Sequence, residues 1–144
     1  MRNVFLQAID NNDEAQEINN MLNLEPIESK AGSFVFDAKI MGAPGFTLFK
    51  VMHKQHLVGY IQCCVNESGY DGNKHLEITK LYIFQNSQGK GYGAEAVNRI
   101  LEVASDEGIS SVGAEHLDRR AFDFWSKTKL SYNLDTDRFE LHNN

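Results

Sequence analysis

The chain has 144 residues, of which 42% are hydrophobic and 24% are charged, and its formal net charge is −6. This length and composition predict one globular domain over residues 1–144 and are too apolar for a disordered protein. The negative charge argues against nucleic acid as a partner, because a phosphate backbone requires clustered Lys and Arg. With no apolar run of 18 or more residues and no signal-peptide pattern at the start, we expect a cytoplasmic protein without a membrane partner.

The cysteine and histidine pattern gives no sign of a metal site. Cys63 and Cys64 are adjacent in an apolar run, so alternation along a strand would send their side chains to opposite faces. The five histidines show no His-Glu-x-x-His spacing. We therefore expect reduced cysteines that serve packing, and no metal.

The first quarter of the chain predicts a strand followed by a helix. The apolar run Val4–Ile9 is the strand, and the polar residues 10–13 can cap a helix. This helix should stop before Glu25-Pro26, because proline disfavours the helical conformation in its predecessor. Its apolar positions at helical spacing are Ala15, Ile18 and Leu22.

The middle of the chain is predicted to form β-strands. Alternating apolar residues predict a strand over 34–41, and two β-rich runs, Phe46–His53 and 57–66, are separated by three residues and predict a hairpin. Strand composition resumes over 76–84 after a polar connection. Three antiparallel neighbours in a row are the simplest arrangement of the last three runs.

The last third predicts a helical crossover and a closing hairpin. A helix over 94–107, with Gly108 at its carboxyl end, leads to a strand over 109–114 that should lie parallel to the strand over 76–84. Asp118 can cap a further helix that runs to about Lys129. Two short strands close the chain, at residues 132–134 and 138–142.

A glycine-rich turn joins the strand over 76–84 to the next helix, and its sequence is Gln88-Gly89-Lys90-Gly91-Tyr92-Gly93-Ala94. The first turn of a helix has N–H groups without intrahelical partners and a partial positive charge, which together bind phosphate. A Cβ at any of the three glycines could block a diphosphate or forbid a left-handed backbone angle. The alternative interpretation is a flexible surface turn.

Two other phosphate motifs fit less well. Gly89-x-Gly91-x-x-Ala94 satisfies the dinucleotide pattern, but residues 85–88 separate the strand from the first glycine, and too few residues follow to build the remaining parallel strands. The phosphate-binding loop (P-loop) of nucleoside triphosphatases is excluded, because that motif requires Ser or Thr after its lysine and Lys90 is followed by glycine.

The loop resembles that of the GNAT superfamily of acetyl-CoA-dependent N-acetyltransferases. That signature is Gln or Arg, two residues, Gly, one residue, then Gly or Ala, and residues 88–93 match it without a gap. The preceding Leu81-Tyr82-Ile83 looks like the family's strand beside the cofactor. The resemblance covers nearly the whole chain and is loose only before Phe46. It implies a single-domain α/β (mixed α+β) fold, with an antiparallel meander and a splayed parallel pair flanked by helices.

By that resemblance the co-substrate is acetyl-CoA. Backbone N–H groups of the loop would hold its pyrophosphate, residues 81–83 would pair with the pantetheine, and a donor near Ile83 would polarise the thioester carbonyl. The family transfers the acetyl group directly to a primary amine, here of a small molecule or a peptide. The cofactor-binding residues so implied are Leu81, Tyr82, Ile83, Gln88, Gly89, Lys90, Gly91, Tyr92, Gly93, Ala94 and Asp118.

Glu77 is the candidate general base. It stands six residues before Ile83 and eleven before Gln88, the spacing of the base in the histone-acetylating branch of the superfamily. An unperturbed glutamate with a pKa near 4.3 is a poor base for an amine, so Glu77 would act through water or with a raised pKa. The alternative is a solvent-facing strand residue.

The second helix of the site departs from the family pattern. Where many members carry Asn and, seven residues later, a Tyr that protonates the departing thiolate, this chain has Asp118 and Trp125. Indole has no proton to give at neutral pH, which leaves packing or a thiol contact for Trp125. A regulatory module that binds acyl-CoA without turnover is therefore an alternative function. A homodimer is also compatible with the resemblance, because many relatives pair.

Overall fold

The computed structural model describes residues 4–26, 45–67, 72–116 and 119–142. The predicted strand over 34–41 lies outside these residues, as does Asp118. In chain order the elements are β1 (Val4–Ile9), α1 (Asn12–Asn23), β2 (Phe46–His53), β3 (His56–Glu67), β4 (Lys74–Ile83), a 3₁₀ turn (Gln85–Ser87), α2 (Tyr92–Asp106), β5 (Ser111–Ala114), α3 (Arg119–Trp125), β6 (Ser131–Asn133) and β7 (Arg138–His142).

The strands form one mixed sheet with the order β1-β2-β3-β4-β5-β7-β6. Strands β1 to β4 are antiparallel neighbours, and β5 is antiparallel to β7, which pairs with β6. The pair β4 and β5 is parallel because α2 carries the chain back across the sheet between them. The predicted mixed α+β fold, with its antiparallel meander and its parallel pair, is confirmed.

Helices cover the sheet on both faces. On one face α2 buries Val97, Ile100 and Ala104 completely, in a core shared with Val112 of β5 and Phe139 of β7. On the other face α1 packs over the first strands of the meander, with a core that contains Ile18, Leu22, Tyr60 and Tyr82. Helix α2 therefore crosses the face of the sheet with contacts to β1, β4 and β5, and the glycine-rich loop that precedes it follows the end of β4.

Helix α1 begins and ends where its sequence predicts. The side chain of Asn11 caps it by accepting a hydrogen bond from the N–H of Glu14 at 2.8 Å. The helix stops at Asn23, just before Glu25-Pro26. None of the helices in the described ranges has the length and apolar character that crossing a bilayer requires.

Helix α3 is shorter than the sequence predicts, since it ends at Trp125 instead of about Lys129. The backbone tightens after this point: the N–H of Lys127 binds the carbonyl of Phe124, and that of Thr128 binds the carbonyl of Trp125, both at 3.0 Å. The Thr128 hydroxyl also donates to the carbonyl of Trp125, at 2.7 Å. Thr128 thus satisfies a terminal carbonyl that another helical turn would have used.

Candidate active site

The parallel pair β4 and β5 separates after only four residues, from His75 opposite Ser111 to Ile78 opposite Ala114. Strand β4 continues to Ile83 without β5 beside it. A cleft of about 250 Å³ lies where the two strands part, and it is lined by Glu77, Ile78, Thr79 and Glu115. The predicted splay of the parallel pair is therefore present, and Glu77 lies at its base.

A β-bulge marks the same point in β4. Cys63 of β3 is opposite Ile78 and Gln62 is opposite Lys80, which leaves Thr79 as the extra residue. The Thr79 hydroxyl donates to the carbonyl of Gln62 at 3.0 Å and holds the bulge against β3. The bulge bends β4 at the level where β5 diverges.

Beyond the bulge, β4 presents an open backbone edge. The N–H of Phe84 binds the carbonyl of Val58 in β3, so alternation turns the backbone of Tyr82 toward β3 as well. The backbone groups of Leu81 and Ile83 then face the side from which β5 has parted. Of the three residues predicted to contact the pantetheine, Tyr82 is placed differently, and its buried side chain lies on the α1 face.

The glycines of the loop serve two different purposes. Gly89 and Gly91 have φ angles of +78° and +84°, and Gly91 is the N-cap of α2. This left-handed conformation strains any residue with a Cβ. Gly93 lies inside the helix, where a Cβ would come within 2.9 Å of a ring carbon of Phe124. Gly93 therefore permits close packing of α2 on α3, a role that the sequence did not separate from phosphate binding.

Side chains tie the loop to the surrounding elements. Gln88 donates from Nε2 to the carbonyl of Ile83 at 2.8 Å, and its Oε1 accepts a bond from Arg120 of α3 at 3.5 Å. Tyr92 stacks on His53 of β2, with 4.6 Å between ring centroids. Lys90 is exposed beside them. The contacts of Arg120 and His53 with the loop were not predicted from the sequence, because both residues are distant in the chain from the motif.

Glu77 is held by two basic side chains. The ring Nε2 of His75 donates to Glu77 Oε1 at 2.9 Å, and the guanidinium of Arg138 from β7 binds the same oxygen. Partial burial acts to raise the pKa of Glu77, but the bonds from His75 and Arg138 and their charges outweigh it, so the pKa lies below its ordinary value. The prediction that Glu77 acts with a raised pKa is therefore wrong, and the alternative, action through water, stays a prediction.

Trp125 is part of the core. Its side chain is 7% exposed, and its ring meets that of Phe124 edge-on with 4.9 Å between centroids. It belongs to the core beneath α2 and is not among the residues that line the cleft. This favours packing over contact with a thiol. Asp118, the other residue at a family position on this helix, lies outside the described residues.

The two cysteines are free and face opposite sides of β3, as predicted. Cys63 is buried, and burial together with the neighbouring Cys64 raises the pKa of its thiol to about 12. A thiol that stays protonated is a poor nucleophile. Among the described residues, no group of three or more His, Cys, Asp or Glu side chains is placed to hold a metal ion.

Several solved structures share this fold. An acetyltransferase from Thermus thermophilus is 18% identical with a TM-score of 0.75, and the match covers 99% of this chain and 100% of that one. An aminoglycoside acetyltransferase from an uncultured soil metagenomic sample, in complex with sisomicin, is 21% identical with a TM-score of 0.68, over 88% and 87% of the two chains. AtaTR bound with AcCoA is 14% identical with a TM-score of 0.68, over 96% and 92%.

No curated protein sequence is significantly similar to this chain. The model of the acetyltransferase (GNAT) family, however, matches residues 12–129, which include α1, the meander, the glycine-rich loop and α3. The chain is therefore an acyltransferase that belongs to the acetyltransferase (GNAT) family.

Proposed function

We propose that this protein is an N-acetyltransferase that moves the acetyl group of acetyl-CoA directly to a primary amine of a small molecule or a peptide. One observation carries the proposal: the open edge of β4 runs from the glycine-rich loop to a cleft whose base holds an ionised carboxylate. Phosphate cradle, extended backbone and acidic group are thus arranged in one line along β4.

The loop fits a diphosphate because α2 begins directly after it. Gly91 caps a helix of 15 residues, so the N–H groups of the first turn converge on the loop with the positive end of the helix dipole. Among the described residues, no atom lies within 4 Å of the position that a Cβ on Gly89 would take, so this part of the chain leaves the cradle open on that side. We propose that residues 88–94 hold the pyrophosphate.

The edge of β4 fits the pantetheine. Leu81 and the N–H of Ile83 offer backbone groups in the spacing that an added strand would pair with, while the carbonyl of Ile83 is bound by Gln88. Bound acetyl-CoA would supply the activated acetyl group at the bulge, and a backbone donor of β4 would polarise its carbonyl, a contribution worth roughly 3 kcal/mol for one donor. Trp125 supplies no acid, so we expect the thiolate to leave unprotonated or to take a proton from water.

Glu77 would accept the proton of the amine through water. Its lowered pKa keeps it ionised at neutral pH, and its position at the base of the cleft lets it order a water molecule beside the attacking nitrogen. With Glu115 it would also attract a protonated amine before attack. The aminoglycoside acetyltransferase with bound sisomicin makes cationic aminoglycosides the first acceptors to test. Peptide amino termini and small polyamines come next.

A second candidate is a module that binds acyl-CoA and does not turn it over, which is favoured by the indole of Trp125 at the family's tyrosine position. Calorimetry with acetyl-CoA, CoA and NAD tests which cofactor binds. Failure of acetyl-CoA to bind would contradict both candidate functions. Release of free CoA in the presence of aminoglycosides, polyamines, amino acids or peptides separates them. The cytoplasmic location and the homodimer stay predictions from the sequence.

A further inference from the structure

Strand β5 has a gap in its side chains directly beside Glu77. Gly113 lies in register between Glu77 of β4 and Glu140 of β7. A Cβ at Gly113 would stand 2.6 Å from Nη2 of Arg138, 3.0 Å from Cε1 of His75 and 3.2 Å from Oε1 of Glu77. The missing side chain therefore makes the space in which these three groups, from two strands, meet above β5.

Arg138 uses this gap to reach across a whole strand. Its backbone is in β7, which is separated from β4 by β5, yet its guanidinium is paired with the Glu77 carboxylate. The same guanidinium lies 3.5 Å from Glu115 and 3.8 Å from Glu140, and its side chain is 24% exposed. One cation thus holds three carboxylates in place, of which Glu77 and Glu115 line the cleft.

The bonds to Glu77 are asymmetric. His75 and Arg138 both bind Oε1, and Oε2 has no hydrogen-bond partner in the described parts of the chain. His75 is in turn fixed by Ser111 of β5, with 2.7 Å between Nδ1 and Oγ. The carboxylate is therefore restrained through one oxygen, while the other is left for the cleft that Glu77 lines.

We propose that Arg138 is a positioning residue, which passes through the gap at Gly113 to bind Oε1 of Glu77 and thereby keeps Oε2 directed at the cleft. Glu77 then orders water with a carboxylate of fixed orientation. The inference rests on the proposed function, in which Glu77 acts through water. Among the described residues, the other titratable or charged groups near Glu77 are Cys64 on β3, His75 on β4, Glu115 directly after β5, and Glu140 and His142 on β7.

The test follows the Glu77 carboxyl by NMR in protein labelled with ¹³C at the glutamate side-chain carboxyl carbon. Its resonance is assigned as the one that disappears in Glu77→Gln. In Arg138→Gln the Glu77 carboxyl should titrate at higher pH than in the wild type, and Gly113→Ala should shift it in the same direction by displacing the guanidinium. In Arg138→Lys the Glu77 carboxyl should titrate between the wild type and Arg138→Gln, because lysine keeps the positive charge but lacks the planar fork of the guanidinium.

Arg99→Gln is the matched control, because Arg99 pairs with Glu95 and Glu102 on α2 and should leave the Glu77 titration unchanged. Circular dichroism shows whether each variant is folded. An unshifted Glu77 titration in folded Arg138→Gln overturns the inference.

Turnover gives the second readout. With the first amine that releases CoA, the acid limb of kcat/KM should move to higher pH in Arg138→Gln, while the calorimetric Kd for acetyl-CoA stays within about twofold of the wild type. An acid limb at the wild-type pH overturns the inference even if the NMR titration has shifted. Failure of the wild type to bind acetyl-CoA overturns the proposed function, whereas the NMR result is read without any ligand and is unaffected.

Discussion

The candidate site has two ends, the glycine-rich loop and the cleft at Glu77, and they are built from the sequence in different ways. At the loop end, the consecutive residues 88–94 form the anion cradle, and two left-handed glycines with the start of α2 set its shape. At the other end, Glu77 depends on His75 of its own strand and on Arg138, which lies 61 positions away in the chain. One end is encoded locally and the other by the topology of the sheet.

This difference determines what a substitution can do at each end. A change in the loop acts on the cradle itself and should alter affinity for acetyl-CoA. A change in the group around Glu77 leaves the cradle intact and should alter the transfer of a proton. Predictions that separate affinity from turnover therefore test the comparison directly.

Glu77→Gln should have the largest effect. Loss of the ionised carboxylate removes the group that accepts the proton, so kcat at neutral pH should fall on the order of 10²-fold, with little change in the Kd for acetyl-CoA. Steady-state kinetics and calorimetry measure the two quantities. Glu102→Gln is the matched control, because Glu102 is a carboxylate on α2 whose side chain is 60% exposed. Equal turnover of wild type and Glu77→Gln would remove Glu77 from the mechanism.

Gly89→Ala tests the loop end against a matched glycine. Gly89 and Gly108 have φ angles of +78° and +72°, and no atom of the described residues lies within 4 Å of the position that a Cβ on either would take. Alanine at either position should cost about 1–2 kcal/mol of unfolding free energy through backbone strain alone. Only Gly89→Ala should also weaken acetyl-CoA binding, by about tenfold or 1.4 kcal/mol. Urea denaturation and calorimetry separate the two, and equal Kd values for both variants would contradict a phosphate role for the loop.

Most of the fold could be predicted because its signals are local. The periodicity of α2 and the cap of α1 appear in a few consecutive residues, and a helix between two strands fixes the parallel pair of β4 and β5. The end of α3 could not be predicted, because it depends on whether the hydroxyl of Thr128 turns back to the backbone. A helical pattern alone does not decide that competition.

In the candidate site, too, the features set by neighbouring residues could be predicted and those set by distant residues could not. Gly89 and Gly91 can be assigned from the motif, but the role of Gly93 depends on Phe124 of another helix. The direction of the pKa shift of Glu77 also escaped prediction. Nothing near residue 77 in the sequence points to Arg138, and the only local trace of their contact is a glycine, Gly113, inside a strand where a side chain would be expected.

Trp125→Phe should separate stability from chemistry. Trp125 is 7% exposed in the core, so the smaller ring should lower the free energy of unfolding by about 1–2 kcal/mol. Because indole is no acid at neutral pH, kcat should stay within about twofold. Urea denaturation and the CoA-release assay measure these effects. A large loss of kcat with unchanged stability would show that Trp125 takes part in turnover and would contradict its role as a packing residue.

The smallest effect expected is a dependence of stability on acid pH. The pKa of Glu77 is lowered in the folded protein, so its ion pair stabilises the fold fully above the unfolded pKa of about 4.3 and loses that effect as the pH falls through the folded value. The free-energy difference between wild type and Glu77→Gln should therefore shrink as the pH falls below the unfolded pKa of about 4.3. Asp137 and Glu140 also have lowered pKa values, but both variants retain them, so their contributions cancel in the difference. Glu102→Gln, which removes an exposed partner of Arg99, is the control variant. A difference that is constant with pH would mean that Arg138 does not stabilise the ionised form of Glu77.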